Sequence, residues 1–202
     1  MSEHRPSAAD VKALREATGA AMMDAKRALV EAEGDADAAK EILKVKGQAD
    51  AAKRGGREAA EGTVQSYIHT TTGKIGAIVE VDCETDFVAR NDDFVAFAKD
   101  IALHVAAMKP LYVSADEIPE DVVDAERKVF AEQAEDKPEQ ARPKIVEGKL
   151  RKWREGVVLL EQSHVKGDDY DGKTVEELRA ELAAKTGENV VIRRFALLEV
   201  GA

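Results

Sequence analysis

The sequence predicts an α+β fold, and three observations carry that prediction. Apolar residues recur at helical spacing through the first 47 residues, the period changes to two from Thr63, and a further alternating stretch closes the chain after Asn189. Long helical patterns fill the interval between the two alternating regions.

The N-terminal region reads as three short helices. Ser7 with Asp10 three residues on forms a capping-box pattern, Val11 and Leu14 mark an apolar side, and Thr18-Gly19 ends the segment. A second helix starts near Ala20, with Met22, Ala25, Leu29 and Ala32 at helical spacing and Gly34 at its close. Asp35 caps a third, carrying Ala39, Ile42 and Leu43, which is expected to stop at Gly47. Residues 1–47 thus make one small domain. Residues 48–62 read as a partly helical linker, since Gln48–Arg54 can extend the helix while Gly55-Gly56 and Gly62 break it. Residues 63–202 form the core domain.

Within the core domain, Val64–His69 reads as a strand and Thr72-Gly73-Lys74 as its turn. Ile75, Ala77, Val79, Val81 and Cys83 then share one face of a second strand, with Gly76, Glu80, Asp82 and Glu84 on the other, which predicts one buried and one wet face. Asn91 caps a helix whose apolar stripe is Phe94, Phe97, Ala98, Ile101, Ala102, Val105 and Met108, and Pro110 follows its end. Residues 114–135 and 139–154 read as two helices broken at Lys137-Pro138, giving a helical hairpin over about 114–155. Val157–Leu160 fits either helix or strand, and 167–172 is a loop. Thr174 precedes a helix with Val175, Leu178, Leu182 and Ala183 that ends at Thr186-Gly187, and Asn189–Val200 is the last strand.

Composition narrows the function. Of 202 residues, 44% are apolar and 35% charged, with a net charge of −10, which argues for a packed core and against bulk nucleic-acid binding. Lys44, Lys46, Lys53, Arg54, Arg57 and the basic run from Lys144 to Arg154 read as solvated faces. A single cysteine, Cys83, forbids an internal disulfide and fits a reducing, cytoplasmic setting. The N-terminus lacks the apolar core of a signal peptide, and no run approaches a membrane span. His4, His69, His104 and His164 stand in no metal-binding frame, there is no P-loop, and the loop around Gly172 lacks calcium ligands at its ends. Cys83 on an apolar strand face reads as an inert thiol rather than a nucleophile. No cofactor and no catalytic side chain are expected.

Two features stand out as candidates for binding. Asp86-Phe87 sits where the second strand meets a helix. Phe87 either plugs the core, with Asp86 capping a turn, or protrudes as a wedge with Asp86 as a polar anchor. In Met22-Met23, Met22 is in phase with Leu29 and is expected in the core, while Met23 lies at the edge of the apolar face, where a flexible thioether suits a partner surface.

Thr85-Asp86-Phe87-Val88-Ala89-Arg90 resembles the signature of the translation elongation factor Ts family. Residues Leu14 to Leu29 resemble that family's N-terminal signature, and Gly187 to Arg194 its closing strand. The resemblance is to the short members with one core subdomain. It implies a ubiquitin-associated-like three-helix domain, then a core with a three-stranded antiparallel sheet packed by helices and a helical hairpin. It implies a guanine nucleotide exchange factor that releases GDP from the GTPase elongation factor Tu, with no membrane or direct nucleic-acid partner. It also implies the binding residues: Asp86 and Phe87 near the GTPase's magnesium site, flanked by Thr85 and Val88, with Arg15, Met22 and Met23 on the same partner domain and His104 and Gly187 on the core surface. A homodimer is implied for short members. Ala20-Ala21, Thr186 and Ser163-His164 depart from the family's usual residues. The alternative is a non-catalytic scaffold that binds through its helical domain.

Overall fold

The computed structural model describes residues 5–202, apart from the side chains of residues 48, 51 and 52; His4 lies outside the described residues. The chain divides into two compact units, one of Met1–Thr63, Val81–Ala96 and Glu177–Val191, the other of Val64–Glu80, Phe97–Glu176 and Ile192–Ala202.

In the first unit, α1 (Ala8–Thr18) opens with the expected box: Asp10 N–H donates to Ser7 Oγ at 3.1 Å and Ser7 N–H to the Asp10 carboxylate at 3.2 Å. Gly19, at φ 69°, ends it with an N–H donated to Arg15 O. In α2 (Met22–Glu31) and α3 (Ala36–Arg54), the buried residues Ala25, Ala28, Leu29, Ala39 and Leu43 pack with Val11 and Leu14 of α1 into one core. That core takes nothing from α2 before Ala25, so Met22, expected inside on phase alone, is 59% exposed. A shared helical phase places a residue on a face, but burial also needs a neighbour at that height along the axis.

α3 passes Gly47 instead of stopping there and reaches Arg54. One interior glycine costs a helix about 1 kcal/mol, and contacts with a later helix oppose that cost: Lys44 pairs with Glu177 at 2.8 Å and Arg54 donates to Ala183 O at 3.3 Å.

The sheet has the order β1 (Glu61–Ile68), β2 (Ile75–Cys83), β3 (Val191–Glu199). It is antiparallel: His69 N–H donates to Ile75 O across the first hairpin, and Val200 N–H, past the end of β3, donates to Lys74 O at the start of β2. At Gly62, the second residue of β1, a Cβ would lie 2.3 Å from Val81 O, so no side chain fits there. Ala77, Val79, Val81 and Cys83 are buried as predicted. The opposite face is open but not polar, since Val64, Ile68, Ile78 and Leu198 are exposed on it beside a Glu80–Arg194 ion pair. Asp82, expected on the wet face, is buried.

After β2 comes the four-residue α4 (Asp86–Ala89), then α5 (Asp92–Met108), where Asn91 Oδ1 accepts Asp93 N–H at 2.8 Å. Of the α5 stripe, Phe94, Ala98, Ile101, Ala102 and Val105 are buried, Phe97 is half-buried and Met108, its last residue, is exposed. The helical hairpin is shorter at its starts than the pattern implied. Ile118 is extended before Pro119, so α6 is Glu120–Glu132, and a 3-10 turn precedes α7 (Arg142–Val157). Ala134, Val146 and Leu150 are its enclosed residues, and Arg142 ties the turn by donating to Lys137 O and Glu135 O. The ambiguous run splits: Val157 ends α7, Val158 bridges Tyr112 and a 3-10 turn follows. α8 (Val175–Thr186) begins next to Thr174.

The second unit buries a histidine pair. His104 and His164 are stacked with ring centroids 5.0 Å apart. His104 Nδ1 accepts Val165 N–H at 3.0 Å, so the ring's proton sits on Nε2, which donates to Gln162 Oε1 at 2.9 Å. Lys166 N–H likewise points at His164 Nδ1, and His164 Nε2 faces Asp100 O. Asp100 also receives Lys166 Nζ and the Tyr170 hydroxyl. Burial first, offset in part by the Gln162 hydrogen bond, pushes His104 down to about 4, and burial also lowers His164. Burial thus favours the neutral form of both rings. Stability is therefore complete above the ordinary histidine value of 6.5 and falls as pH drops from there toward 4 for His104. A thermal melt series across that interval is expected to show this decline, at up to about 1.4 kcal/mol per pH unit per histidine, and a His104→Gln variant a shallower one.

Candidate functional site

β2 delivers the chain to Cys83, and the next residues turn sharply into α4. Thr85 is extended at φ −130° and ψ 153°, and its hydroxyl accepts Val88 N–H at 3.4 Å, so Thr85 rather than Asp86 is the cap. Asp86 instead pairs with Arg90 one turn on, at 3.0 Å and largely in solvent. Ala89 is the residue of this turn that goes inside. Phe87 is 83% exposed, which excludes the reading of it as a core plug.

A four-residue helix does not hold itself, and the contacts that fix this one come from residues just after α8. Glu84 N–H and Thr85 N–H both donate to Glu188 Oε2, at 3.0 and 3.1 Å, and the Thr85 hydroxyl donates to Glu188 Oε1 at 2.6 Å. The exchange is reciprocal, since Asn189 N–H donates to Glu84 Oε1 at 2.6 Å. Arg57 adds a guanidinium 3.3 Å from Glu84 and accepts the Asn189 side-chain amide at its carbonyl. The Asn189 N–H is the main reason the Glu84 carboxyl is held below its ordinary range, with Arg57 assisting against the effect of burial.

Gly187, at φ 76°, ends α8 and donates its N–H to Ala183 O. A side chain there meets no neighbour, so what selects glycine is backbone conformation alone. Thr186, one of the departures, bridges the helix end: its hydroxyl donates to Leu182 O and accepts Glu188 N–H at 3.4 Å. Ala21, another departure, starts α2 without a side-chain cap. Ser163 bridges Thr174 and His164 is enclosed beside His104.

The residues singled out from sequence fall unevenly. Arg15, Met22, Met23, Thr85, Asp86, Phe87, Val88 and Gly187 all belong to the first compact unit. Arg15 is exposed, Met22 and Met23 are 59% and 62% exposed, and Thr85 and Val88 are half-buried. His104 belongs to the second unit and is fully enclosed, so it presents no surface. Sequence reasoning missed Glu84, Glu188 and Asn189 as supports. The available signal was an acidic residue directly after a helix-ending glycine, but its partner lies more than 100 positions away.

Cys83 is fully buried, and its thiol donates to Thr85 O at 3.2 Å. Burial, with the Glu188 charge adding to it, pushes that thiol up to about 11. Few thiolates exist at neutral pH, which removes the nucleophile reading. Iodoacetamide at pH 8 is expected to label Cys83 slowly in the native protein and readily in urea, as read by intact mass. No group of three or more His, Cys, Asp or Glu able to hold a metal ion occurs among the described residues, and no helix among them is long and apolar enough to cross a membrane.

Comparison with known proteins meets this geometry. The family model described as Elongation factor TS matches residues 36–171. The chain is 50% identical over 197 residues to Elongation factor Ts of Syntrophus aciditrophicus, covering 96% of each chain. It is 52% identical over 193 residues to Elongation factor Ts of Carboxydothermus hydrogenoformans, covering 95% of this chain and 87% of that one. A similar match, 50% over 194 residues, links it to Elongation factor Ts of Desulfotalea psychrophila. With helices first, then an antiparallel three-stranded sheet, and a Thr-Asp-Phe-Val turn that exposes its phenylalanine, the chain belongs to the elongation factor Ts family.

Proposed function

We propose that this protein releases GDP from elongation factor Tu by inserting the Phe87 ring, with Asp86 beside it, near the GTPase's magnesium and nucleotide site. Family membership implies a nucleotide exchange factor acting in translation elongation. The observation that carries the finer reading is a phenylalanine 83% exposed on a short helix whose lead-in backbone, at Glu84 and Thr85, is tied down by hydrogen bonds. An apolar ring held in water gains free energy only when something covers it.

Magnitudes show what else is needed. A 10⁴-fold shift between nucleotide-bound and nucleotide-free states requires about 5.5 kcal/mol of differential binding. Covering one Phe supplies about 1.5–3 kcal/mol. The remainder has to come from further contacts, and the exposed Met22, Met23 and Arg15 of the same compact unit are the surface that supplies them. Binding that favours the empty GTPase weakens its nucleotide by the same factor. Such a factor works in the cytoplasm, as an assisting protein rather than an enzyme, and without a cofactor of its own.

The reading includes a homodimer formed through the open face of the sheet. Val64, Ile68, Ile78 and Leu198 leave an apolar surface there, edged by the Glu80–Arg194 pair, and a second copy of the same face is a matching cover.

Phe87→Ala is expected to slow GDP release by about 10- to 100-fold with an unchanged melting temperature; stopped-flow release of labelled GDP from elongation factor Tu measures it. Binding with no acceleration by the unaltered protein would instead support the scaffold alternative. Light scattering is expected to give twice the chain mass for the protein and a single chain mass for Leu198→Asp.

A further inference from the structure

We infer that Glu188 is the positioning residue of the exchange site, setting where the Phe87 ring stands by gathering the backbone that leads into it. This rests on the reading of Phe87 as the wedge.

Side chains of α4 itself do little to hold it. Its one side-chain cap bond, from Val88 N–H to Thr85 Oγ1, is long at 3.4 Å. The Asp86–Arg90 pair is exposed, and such pairs fix little. Ala89 is the lone fully buried residue among its four. Against this, the Glu188 carboxylate collects Glu84 N–H, Thr85 N–H and the Thr85 hydroxyl, all within 3.1 Å. Charge-assisted bonds of that kind are about twice as strong as neutral ones.

The hydroxyl bond matters for direction. With its proton committed to Glu188 Oε1, Thr85 Oγ1 presents lone pairs, and one of them accepts Val88 N–H. The carboxylate thus orients the cap as well as the strand end. Glu188 is itself aimed: Gly187 turns the chain through the left-handed region, and the Thr186 hydroxyl accepts Glu188 N–H. The return bond from Asn189 N–H to Glu84 Oε1 closes the exchange, so the two segments fix each other. All of these residues lie within the first compact unit.

Glu188 touches no partner in this scheme and acts through Phe87, which makes a specific test possible. Glu188→Ala is expected to slow GDP release from elongation factor Tu about tenfold. Because it works through the ring, Glu188→Ala combined with Phe87→Ala is expected to be no slower than Phe87→Ala alone. Hydrogen exchange at the Glu84 and Thr85 amides is expected to accelerate in Glu188→Ala while the amides of α1 to α3 keep their protection. Glu188→Gln, which retains one acceptor oxygen and leaves the rest of the unit undisturbed, is expected to fall between, and serves if the alanine variant does not fold. If Phe87→Ala slows release but the Glu188 variants release GDP at the normal rate, or if the two losses multiply, the positioning role is overturned and the wedge stands. If Phe87→Ala itself releases GDP normally, the wedge and the role assigned to Glu188 fall together.

Discussion

The convergence of two backbone N–H groups and one hydroxyl on a single carboxylate is the constraint on which the exposed turn depends. A strand that ends and a helix that begins within two residues leave several donors without regular partners. Here Glu188 takes up those of Glu84 and Thr85, and the chain can then turn so that Ala89 goes inward and Phe87 outward. Without such satisfaction the donors would seek other partners, and the ring's direction would be one of many. The short helix is therefore a product of distant sequence, not of its own four residues.

The rest of the first unit extends the same logic. Asn189 answers Glu84, Arg57 completes the charge around that carboxylate, and Arg54 and Lys44 link α3 to α8. The segment that supplies Glu188 is thus tied to the helices that expose Arg15, Met22 and Met23. A surface meant to meet one partner at several points needs those points kept at fixed separations, and polar ties between neighbouring segments serve that need.

Much of this architecture was legible in the chain because it depends on local pattern. The Ser7 box, the Asn91 cap, the glycine-ended helices and the buried face of β2 follow from spacing alone. What escaped depends on neighbours that spacing does not name. Met22 has the right phase but no core at its level, and α3 continues through Gly47 because later residues support it. The second face of the sheet carries exposed Val64, Ile68, Ile78 and Leu198 beside its polar residues, since period two assigns a face without saying what covers it. The helix expected from residue 114 begins only at Glu120 because Ile118 is extended before Pro119, and the one expected from 139 opens as a 3-10 turn before α7. The exposure of Phe87 could not be read from composition, and Glu188 escaped because its partners are separated from it by over 100 positions. His104, named as surface by resemblance, is enclosed by a histidine and a glutamine from elsewhere in its own unit.

The helical hairpin carries one more consequence. No residue of α6 is fully buried, and the enclosed side chains between the arms come down to Ala134, Val146 and Leu150. So thin a seam gives that arm far less cooperative cohesion than the segments around β2 and α5. Phe130, Ile145 and Trp153 pack against that seam only in partly buried positions. A helical pair held by so few enclosed side chains has less to lose from a change in length or sequence than the Thr85–Glu188 junction, where three donors meet one carboxylate.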